Sequence, residues 1–563
     1  MNQALEAATA GQAAIDTEVL IAGGGPCGLM LAIELGRRGI RCLLVDAKPG
    51  TAFNPQANAT QARTMEHFRR LGFAEEIRAL GLPSDHPTDI VYLTRFAHQE
   101  LARIELPTAA QAMVNVKRMT GSWSAAELPH RVSQKFVEEA MRRQAQAWSS
   151  TDIRYGWKLK DFSDEGSFVS ASVRPTDGGP AQEVRAKFLV GADGARSLVR
   201  LKLDIEWGGE TGIQREFMGG KMFAIYLRAP EFVSTLRHPK AWMYVAVNHR
   251  RRAFMASVDG VSEYAFHAAL RPGEDPEGWS EADARRVFAE AVGAEVPIEI
   301  LSMGTWLAGH ALVADAFQRG RVFLAGDAVH LFTPTGGLGY NTAVEDAVNL
   351  GWKLASVIRG RAPRSLLDSY EAERKPLAHR NTAYARRFAD SVGLFSAKPA
   401  LEEDSPRGEA ERELARRHFN EHARLEFNIP GVTFGGRYDG SPIIVRDNAA
   451  LPPDEPNSYT PTASPGGRPP HAWLEDGRSL FDLFGPEWTL LVLGPNPPSI
   501  EAFEAAAKEF AMDLCVVRLP QPALSELYEA PLALIRPDQI VAWRGGTDEG
   551  AQSIFERVTG GQI

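Results

Sequence analysis

The first apolar segment of the chain alternates between strand-like and helix-like spacing. Residues 17–22 (TEVLIA) form a short run of strand-forming residues, and residues 29–38 carry apolar positions at helical spacing. A second strand-like run spans residues 41–45, just before Asp46. The pattern predicts a strand, a tight turn, a helix and a second strand, which together make one βαβ unit.

The rest of the chain mixes the same two patterns. Strand-like runs (RAKFLVGA, RVFLAGDA and AFMASV) occur together with helical stretches at 341–358 and 365–387, up to about residue 390. This mixture favours an α/β core with an inserted sheet-rich section. Beyond residue 470, the runs TLLVLGP, DLCVVRL, APLALIRP and QIVAWRG, with the helical segment EAFEAAAKEFA, predict a small α/β domain.

Two segments between these regions differ in composition. Residues 402–425 interleave acidic and basic side chains at helical spacing, which predicts a helix exposed to solvent. Residues 451–470 contain seven prolines, so they can sustain neither a helix nor a central strand. We therefore predict a domain boundary in this second segment.

Composition and charge exclude several classes of function. The 563 residues include 62 Lys and Arg and 71 Asp and Glu, a net charge of −9, which disfavours nucleic acid as a partner. No apolar run approaches the roughly 18 residues of a membrane span, and residues 1–16 lack the pattern of a signal peptide. Cys27, Cys42 and Cys515 are too scattered for a disulfide framework or a metal site, so a cytoplasmic setting is expected.

The turn after the first strand has the spacing of a dinucleotide-binding loop. Gly23 permits a tight turn, Gly25 lets a pyrophosphate approach the backbone, and Gly28 lets the helix pack closely on the strand. Asp46 follows Gly28 by 18 residues, where a carboxylate can accept hydrogen bonds from a ribose. The motif predicts a ligand such as FAD or NAD, and the alternative is a purely structural turn.

A second glycine-rich segment follows the strand-like run at 321–326. The strand brings Asp327 to its carboxyl end, where a carboxylate can hold ribityl hydroxyls. Gly336, Gly337 and Gly339 allow close approach to a ring, and the helix from about Asn341 directs its positive end to the same place. This arrangement would stabilise negative charge on a reduced flavin. The alternative is a glycine loop that only closes the connection.

Three motifs together resemble a known family. The segment FLVGADGARSLVR (188–200) resembles the DG motif of class A, single-component FAD-dependent aromatic hydroxylases of the para-hydroxybenzoate hydroxylase and phenol hydroxylase type. Residues 321–341 resemble the GD motif of that family, and LDSYEAERKP (367–376) is similar to the helix that follows it. The resemblance covers nearly the whole chain, and it implies FAD as cofactor and NADH or NADPH as co-substrate.

The resemblance implies a domain plan. It predicts an α/β fold with a Rossmann-like FAD-binding domain, an inserted β-sheet substrate domain and a C-terminal thioredoxin-like α/β domain. The expected divisions are a flexible tail at 1–16, the FAD-binding domain at 17–395 with substrate-binding insertions at about 85–125 and 205–310, a helical, charged connecting region at 396–450, a Pro-rich linker at 451–470 and the thioredoxin-like domain at 471–563. Cys515 has no resolving partner, so redox activity is not expected there.

The resemblance also implies which residues contact the cofactor. Arg131 to Gln134 is similar to a helix start that contacts the ribityl and pyrophosphate groups, although Ser133 could simply cap that helix. Gln56 stands where relatives carry an arginine, and Arg63 is the residue that could compensate. The expected cofactor-binding residues are Gly23, Gly25, Pro26, Cys27, Gly28, Asp46, Gln56, Arg63, Arg131, Gln134, Asp193, Gly194, Gly326, Asp327, Pro334, Gly336, Gly337, Leu338, Gly339, Tyr340 and Asn341.

Asp193 has two interpretations. The resemblance implies that Asp193, with Arg200, holds the cofactor and assists recognition of the nicotinamide nucleotide. From the residues alone, Asp193-Gly194 could equally be a turn.

Catalytic candidates follow from the same resemblance. Asn58 stands where some relatives carry His or Asp near a substrate hydroxyl, and an amide can hydrogen-bond a phenol without taking its proton. Glu127 or His130 is the candidate base, although either could be an ordinary surface residue. Pro334 and Tyr340 are expected against the flavin ring. The expected substrate pocket is lined by Tyr226, Trp242, Tyr244 and Arg252.

The implied activity is hydroxylation of a phenolic or related aromatic substrate with NAD(P)H and O2, through a flavin C4a-hydroperoxide. Alternatives are a flavin reductase or oxidase, a Baeyer–Villiger-like oxygenation of a polycyclic aromatic or polyketide ketone, and a redox-inert FAD-binding scaffold. A homodimer is expected, and the sequence shows no metal site.

Overall fold

A computed structural model describes residues 15–213, 215 and 217–561. Apart from Ile15 and Asp16, the tail expected at 1–16 lies outside the described residues. The strands are β1 Thr17–Ala22, β2 Cys42–Asp46, β3 Ile90–Leu93, β4 Glu100–Ile104, β5 Thr151–Tyr155, β6 Trp157–Asp164, β7 Val169–Pro175, β8 Gln182–Gly191, β9 Trp207–Glu210, β10 Gly220–Arg228, β11 Met243–Ala246, β12 Ala253–Ser257, β13 Glu263–Ala269, β14 Glu299–Ala308, β15 Ala311–Ala314, β16 Gln318–Arg319, β17 Val322–Leu324, β18 His330–Leu331, β19 Trp488–Leu493, β20 Leu514–Leu519, β21 Leu532–Ile535 and β22 Val541–Gly545.

The α-helices of the described residues alternate with these strands. They are α1 Pro26–Gly36, α2 Ala62–Arg70, α3 Ala74–Arg78, α4 Ala109–Asn115, α5 Gln134–Gln146, α6 Leu198–Lys202, α7 Glu281–Val292, α8 Leu338–Ile358, α9 Asp368–Gly393, α10 Pro406–Phe427, α11 Pro430–Phe434, α12 Glu501–Glu509, α13 Pro522–Tyr528 and α14 Ala551–Val558. No helix in this part of the chain is long and apolar enough to cross a membrane.

The first sheet has the parallel core predicted from the N-terminal pattern. Its order is β16-β17-β8-β1-β2-β5, with β6 and β7 joined beside β8, and β1 runs parallel to both β2 and β8. Helix α1 is buried along nearly its whole length, between the sheet and helices α5 and α8. Apart from Glu34, which pairs with Arg38 and Arg70, the side chains of α1 are apolar, which suits an interior position. The carboxyl ends of β1 and β17 therefore lie at one edge of the sheet, together with the turns that follow them.

The inserted sheet has the order β14-β10-β13-β12-β11-β3-β4. One side packs on helix α7. The other side, here called the front face, carries Tyr92, Trp242, Val245 and Phe254 and packs on helix α10, the end of α9 and Ala59 of the core domain. Alternation along the strands divides the apolar residues between these two sides. The front face is thus the wall that the sheet presents to the core domain.

The connecting segments differ from the pattern expected of them. The charged stretch is helical, as predicted, but α10 is not fully solvated, because Ala415, Phe419 and Ala423 pack against the front face. The Pro-rich segment does not form a free linker: residues 463–471 are buried, and the N–H of Gly466 donates to the carbonyl of Val541 at 2.8 Å. The spacing of charged residues and prolines predicts local structure, but it does not reveal which face of a segment is buried by another part of the chain.

The C-terminal domain is a mixed four-stranded sheet with three helices. Its order is β20-β19-β21-β22, in which β19 and β20 are parallel and β21 is antiparallel to both neighbours, β19 and β22. The domain is fixed to the core by buried ion pairs. Arg536 donates to Glu373 of α9 at 2.6 Å, and Lys353 of α8 donates to the same carboxylate at 2.6 Å; all three side chains are fully buried. This domain is therefore part of one packed body with the core domain.

Candidate active site

The turn between β1 and α1 is closed on one side and open on the other. A Cβ atom on Gly23 would lie 2.1 Å from the carbonyl oxygen of Ala192, and one on Gly28 would lie 1.9 Å from the carbonyl of Gly23. A Cβ on Gly25 would meet nothing within 4 Å. Helix α1 begins at Pro26 without a side-chain cap, so its first N–H groups face this open side. The geometry fits a bound pyrophosphate.

Asp46 fixes that turn as well as lining it. Its Oδ2 accepts a hydrogen bond from the N–H of Gly24 at 2.6 Å, and its Oδ1 accepts one from the N–H of Lys48 at 2.7 Å. A carboxylate has acceptor sites beyond these two, so a ribose hydroxyl can still bind. Asp46 therefore both orients the glycine turn and offers the acceptor that the sequence predicts.

Gln134 is held by a residue whose role sequence reasoning missed. Its Nε2 donates to Glu138 Oε1 at 2.6 Å, and Glu138 Oε2 accepts from the N–H of Ala52 at 2.7 Å. Burial raises the pKa of Glu138 above its ordinary value. The spacing of Gln134 and Glu138, one helical turn apart, is the signal that could have indicated this pair.

Asp327 lies beside the first turn. Gly326 has a φ of +63°, and a Cβ there would lie 3.1 Å from the Cβ of buried Cys27, so the second turn packs directly on the first. The Asp327 side chain is exposed and makes no hydrogen bond to the described residues, yet surrounding protein raises its pKa, an effect that the charges of His330 and Lys48 partly offset. An accessible carboxylate beside the first turn fits the hydroxyl groups of a ligand.

The loop before α8 is fastened from three sides. Asn341 Nδ2 donates to the carbonyl of Gly337 at 2.6 Å, and its Oδ1 accepts from the N–H of Gln61 at 2.8 Å. Gln61 Nε2 donates to the carbonyl of Gly336 at 2.7 Å, and the N–H of Gly336 donates to Glu426 Oε1 at 2.9 Å. The side chain of Asn341 thus positions this loop, and the expected contact of Asn341 with the cofactor stays a prediction.

The other predicted residues of this loop differ in exposure. Pro334 is exposed, Gly339 and Tyr340 are half-buried, and Leu338 is buried. The Tyr340 hydroxyl lies 3.5 Å from Oγ1 of Thr60, and burial raises its pKa well above the ordinary value. A phenol in this state donates a proton in a hydrogen bond but does not act as a base at neutral pH.

The DG segment forms a tight turn that its own side chains stabilise. Asp193 Oδ1 accepts from the Ser197 hydroxyl at 2.5 Å, and its Oδ2 accepts from the N–H of Val199 at 3.2 Å. Arg200 stacks on Trp207 with 4.3 Å between the guanidinium carbon and the ring centroid, and it donates to the carbonyl of Ile205 at 3.1 Å. These contacts close the turn, which Gly194 completes with a φ of +82°. Asp193 is partly exposed and, like Asp46, has acceptor sites beyond its two hydrogen bonds, so its contact with the cofactor stays a prediction.

The surroundings of both candidate bases disfavour proton transfer, although their role stays a prediction. Glu127 accepts from Arg69 Nη1 at 2.9 Å and from Arg78 Nε at 2.9 Å, so its carboxylate is held between two guanidinium groups. Burial, with a smaller contribution from the charge of Arg78, holds the pKa of His130 at about 3. A group with so low a pKa is too weak a base to remove the proton of a phenol effectively. Asn58 stays a candidate, because its Oδ1 is buried without a hydrogen-bond partner among the described residues.

Arg63 does not compensate for Gln56. Its Nη2 donates to the carbonyls of Asp538 and Gln539 at 3.0 and 2.9 Å, and its Nη1 pairs with Glu66 at 3.1 Å. Arg63 therefore joins α2 to the C-terminal domain, while Gln56 is exposed. The spacing of residues near the motif could not indicate a partner almost five hundred residues away.

The predicted pocket wall is only partly correct. Trp242 lies on the front face, whereas Tyr244 points to the opposite side, where its ring packs edge-on against Phe232 at 5.2 Å. Arg252 stacks on Phe217 of the front face, with 4.9 Å to the ring centroid. Tyr226 lies at the boundary with the core domain, where Lys135 Nζ donates to its hydroxyl at 2.6 Å. Trp242 precedes β11, so strand alternation does not govern its direction.

The front face carries further aromatic residues: Phe254 lies on the strand-like run AFMASV and was expected in this wall, whereas sequence reasoning missed Tyr92 and Trp306. Tyr92 stacks on Phe419 of α10 at 4.7 Å, and Phe254 stacks on His267 at 4.5 Å. Trp306 Nε1 donates to His267 Nδ1 at 3.0 Å, and burial lowers the pKa of His267 to about 4, so the imidazole is neutral at physiological pH. A planar apolar ligand fits a wall of this composition.

Fold and site together define a flavin-binding α/β protein with a separate substrate sheet. The family model described as an FAD binding domain matches residues 16–385, and that described as an aromatic-ring hydroxylase C-terminal domain matches residues 462–560. The chain belongs to the class A FAD-dependent aromatic hydroxylases. It is an FAD-dependent monooxygenase of aromatic substrates that uses NAD(P)H and O2.

Individual relatives match over nearly their whole length. Aklavinone 12-hydroxylase RdmE of Streptomyces purpurascens is 31% identical, over 97% of this chain and 98% of the relative. Phenol 2-monooxygenase of a Pseudomonas species is 29% identical, over 94% of this chain and 90% of the relative. The solved structure of the rebeccamycin biosynthetic enzyme RebC with reduced flavin aligns with a TM-score of 0.85 at 32% identity, over 98% of this chain and 100% of that chain.

Proposed function

We propose that FAD lies across the two glycine turns. The observation that carries the proposal is Asp327, an accessible carboxylate that is surrounded by protein and has no partner among the described residues. The open side of Gly25 and the uncapped start of α1 would take the pyrophosphate, and Asp46 would accept from a ribose hydroxyl. Bound FAD would supply the ring that NAD(P)H reduces and that activates O2.

The loop from Pro334 to Tyr340 would lie against the flavin ring. Gly336 and Gly337 have φ values of +64° and +66°, so their backbone can approach a ring without a side chain in between. The N-terminus of α8 directs its positive end to the same place, which would stabilise negative charge there. Gln61 and Asn341 fix the loop, so little reorganisation accompanies the reaction.

The aromatic substrate would lie between this loop and the front face. Apolar side chains there exclude water from the reacting ring. The unpartnered Oδ1 of Asn58 would accept a hydrogen bond from the substrate hydroxyl and orient it, without removing its proton. Similarity to a phenol monooxygenase and to a hydroxylase named for aklavinone supports testing both single-ring and polycyclic substrates.

The experiment is a substrate screen on the purified protein. Its visible spectrum should show flavin bands, and NADH or NADPH consumption should rise with some members of a panel of phenols, hydroxylated acids and polycyclic aromatics. With isotopically labelled O2, hydroxylation adds one labelled oxygen to an arene, whereas a Baeyer–Villiger reaction turns a ketone into an ester or lactone. Consumption of NAD(P)H without a labelled product would instead identify an oxidase. A spectrum without flavin and no uptake of added FAD would contradict the proposal.

A homodimer and a cytoplasmic location also belong to this proposal. Cys27, Cys42 and Cys515 are free thiols, which suits a reducing compartment. Sizing of the FAD-loaded protein tests the dimer, and cell fractionation tests the location.

A further inference from the structure

Arg131 is a buried cation without a polar partner. It lies just before α5, its side chain is 9% exposed, and no hydrogen bond or ion pair joins it to another residue in the described part of the chain. Its guanidinium stacks on Trp242 of the front face, with 4.7 Å between the guanidinium carbon and the ring centroid. A stacked guanidinium keeps its N–H edges free to donate hydrogen bonds in the ring plane.

The nearest opposing charge is already engaged. Glu426 Oε1 accepts from the N–H of Gly336 at 2.9 Å, and Glu426 Oε2 lies 2.8 Å from His422 Nε2. Burial lowers the pKa of Arg131 to about 10, against the attraction of Glu426, so the group is charged at neutral pH. A desolvated charge without a hydrogen-bonded partner is costly, which argues that a ligand supplies the partner.

The position of Arg131 indicates which ligand this is. The N–H of Thr60 donates to the carbonyl of His130, so the backbone beside Arg131 pairs with the segment that carries Ala59. Ala59 packs on the front face, and a Cβ on Gly337 would lie 3.3 Å from the Cβ of Ala59. Arg131 therefore lies against the aromatic wall, and its backbone neighbour pairs with the segment that contacts the Gly336–Gly337 loop.

We propose that Arg131 binds an anionic oxygen of the aromatic substrate, a carboxylate or an acidic phenolate, and thereby selects acidic arenes. This inference rests on the proposed function, because it places the substrate between the front face and the loop. It also moves Arg131 from the cofactor set, where the motif resemblance put it, to the substrate set. Trp242 serves as the platform that fixes the plane of the guanidinium.

The test compares two ligands that differ only in a carboxylate. Binding of 1-hydroxy-2-naphthoate and of 1-naphthol to the FAD-loaded enzyme is measured by calorimetry and by the change in flavin absorbance, without NAD(P)H. A hydrogen-bonded charge pair of this kind corresponds to about tenfold to hundredfold tighter binding of the carboxylate. Arg131→Met should remove this preference and change the affinity for 1-naphthol by less than about twofold.

Two further variants keep the result interpretable. Arg131→Lys retains the charge but loses the planar fork, so it should bind the naphthoate less tightly yet still prefer it to the naphthol. Arg286→Met removes another arginine that lies over a tryptophan, Trp279 on the opposite side of the inserted sheet, and should leave the preference unchanged. If Arg131→Met does not fold, the affinities of Arg131→Lys and of the natural enzyme for the naphthoate are compared. Equal affinities would then overturn the inference.

Three results would overturn the inference. Equal affinity of the natural enzyme for both naphthalenes would show that the enzyme does not select acidic arenes. If Arg131→Met still prefers the carboxylate ligand, another residue binds the carboxylate. If Arg131→Met also loses FAD while it keeps this preference, Arg131 binds the cofactor instead of the substrate. Failure of the proposed function is separate, because it shows as absence of any hydroxylated product in turnover, whereas this preference is measured without turnover.

Discussion

Arg374 Nε donates a hydrogen bond to Asp346 Oδ1 at 2.7 Å, and neither side chain is exposed to solvent. The other oxygen of Asp346 accepts from the N–H of Gly326 at 3.0 Å and lies 2.7 Å from His330 Nε2. Burial alone would raise the pKa of Asp346, but the charges of His330 and Arg374 lower it below the ordinary value. One carboxylate therefore holds the turn that presents Asp327.

We expect Asp346→Asn to weaken FAD binding without touching the cofactor site itself. The amide cannot serve Arg374, His330 and Gly326 together, and loss of a buried ion pair costs about 3–5 kcal/mol of stability. Urea unfolding of the apo protein and FAD titration give the two quantities. Glu345→Gln is the control, because Glu345 is partly exposed and contacts the same arginine at 3.1 Å; its cost should be below about 1 kcal/mol. Equal effects of the two substitutions would contradict the role of Asp346.

Asp327→Asn should separate cofactor binding from stability. Asp327 makes no hydrogen bond to the described residues, so the unfolding free energy of the apo protein should change little. Loss of a charged acceptor should weaken FAD binding about tenfold to hundredfold. Fluorescence titration with FAD measures the affinity. Unchanged FAD affinity would refute the role assigned to Asp327.

The two glycines of the first turn should respond differently to alanine. A Cβ at Gly28 would lie 1.9 Å from the carbonyl of Gly23, so Gly28→Ala should cost about 3 kcal/mol or more of apo-protein stability. Gly25→Ala meets nothing within 4 Å, so the protein should fold normally but admit the pyrophosphate poorly. Gly546→Ala, also in open space but exposed in the C-terminal domain, is the matched control. Normal FAD affinity in Gly25→Ala would contradict the assigned phosphate site.

Glu66 predicts an acid-sensitive junction between α2 and the Arg468 segment. Burial alone would raise the pKa of Glu66, but the charges of Arg468 and Arg63 lower it from 4.5 to about 2. The folded protein thus binds this proton more weakly than the unfolded chain does. The resulting stability, on the order of 3 kcal/mol, is present above pH 4.5 and is lost as the pH falls towards 2.

Urea unfolding at several pH values tests this prediction. Glu66→Gln should be less stable than the natural protein at pH 7 by about 3–5 kcal/mol, because Arg468 loses its partner. The difference between the two proteins should shrink as the medium is acidified below the ordinary carboxyl pKa. A difference that is constant with pH would show that Glu66 does not titrate as assigned.

The sequence by itself determined the parts of this protein that depend on local spacing. The first βαβ unit, the glycine turns and the position of Asp327 after a strand follow from residues close together in the chain, because backbone geometry limits what such spacing can form. The resemblance of the motifs to aromatic hydroxylases indicated the family, and the family models confirmed it.

Only the tertiary structure decided which polar side chains are free. Arg63 and Glu127 are engaged by distant or separate segments, whereas Arg131 is buried against Trp242 without an ion pair in the described part of the chain. Tyr244 faces away from the pocket because strand alternation begins after Trp242. Packing of elements that are far apart in sequence decides whether a charged side chain has a partner. Spacing in the sequence therefore predicts which element carries a side chain but not what the side chain contacts.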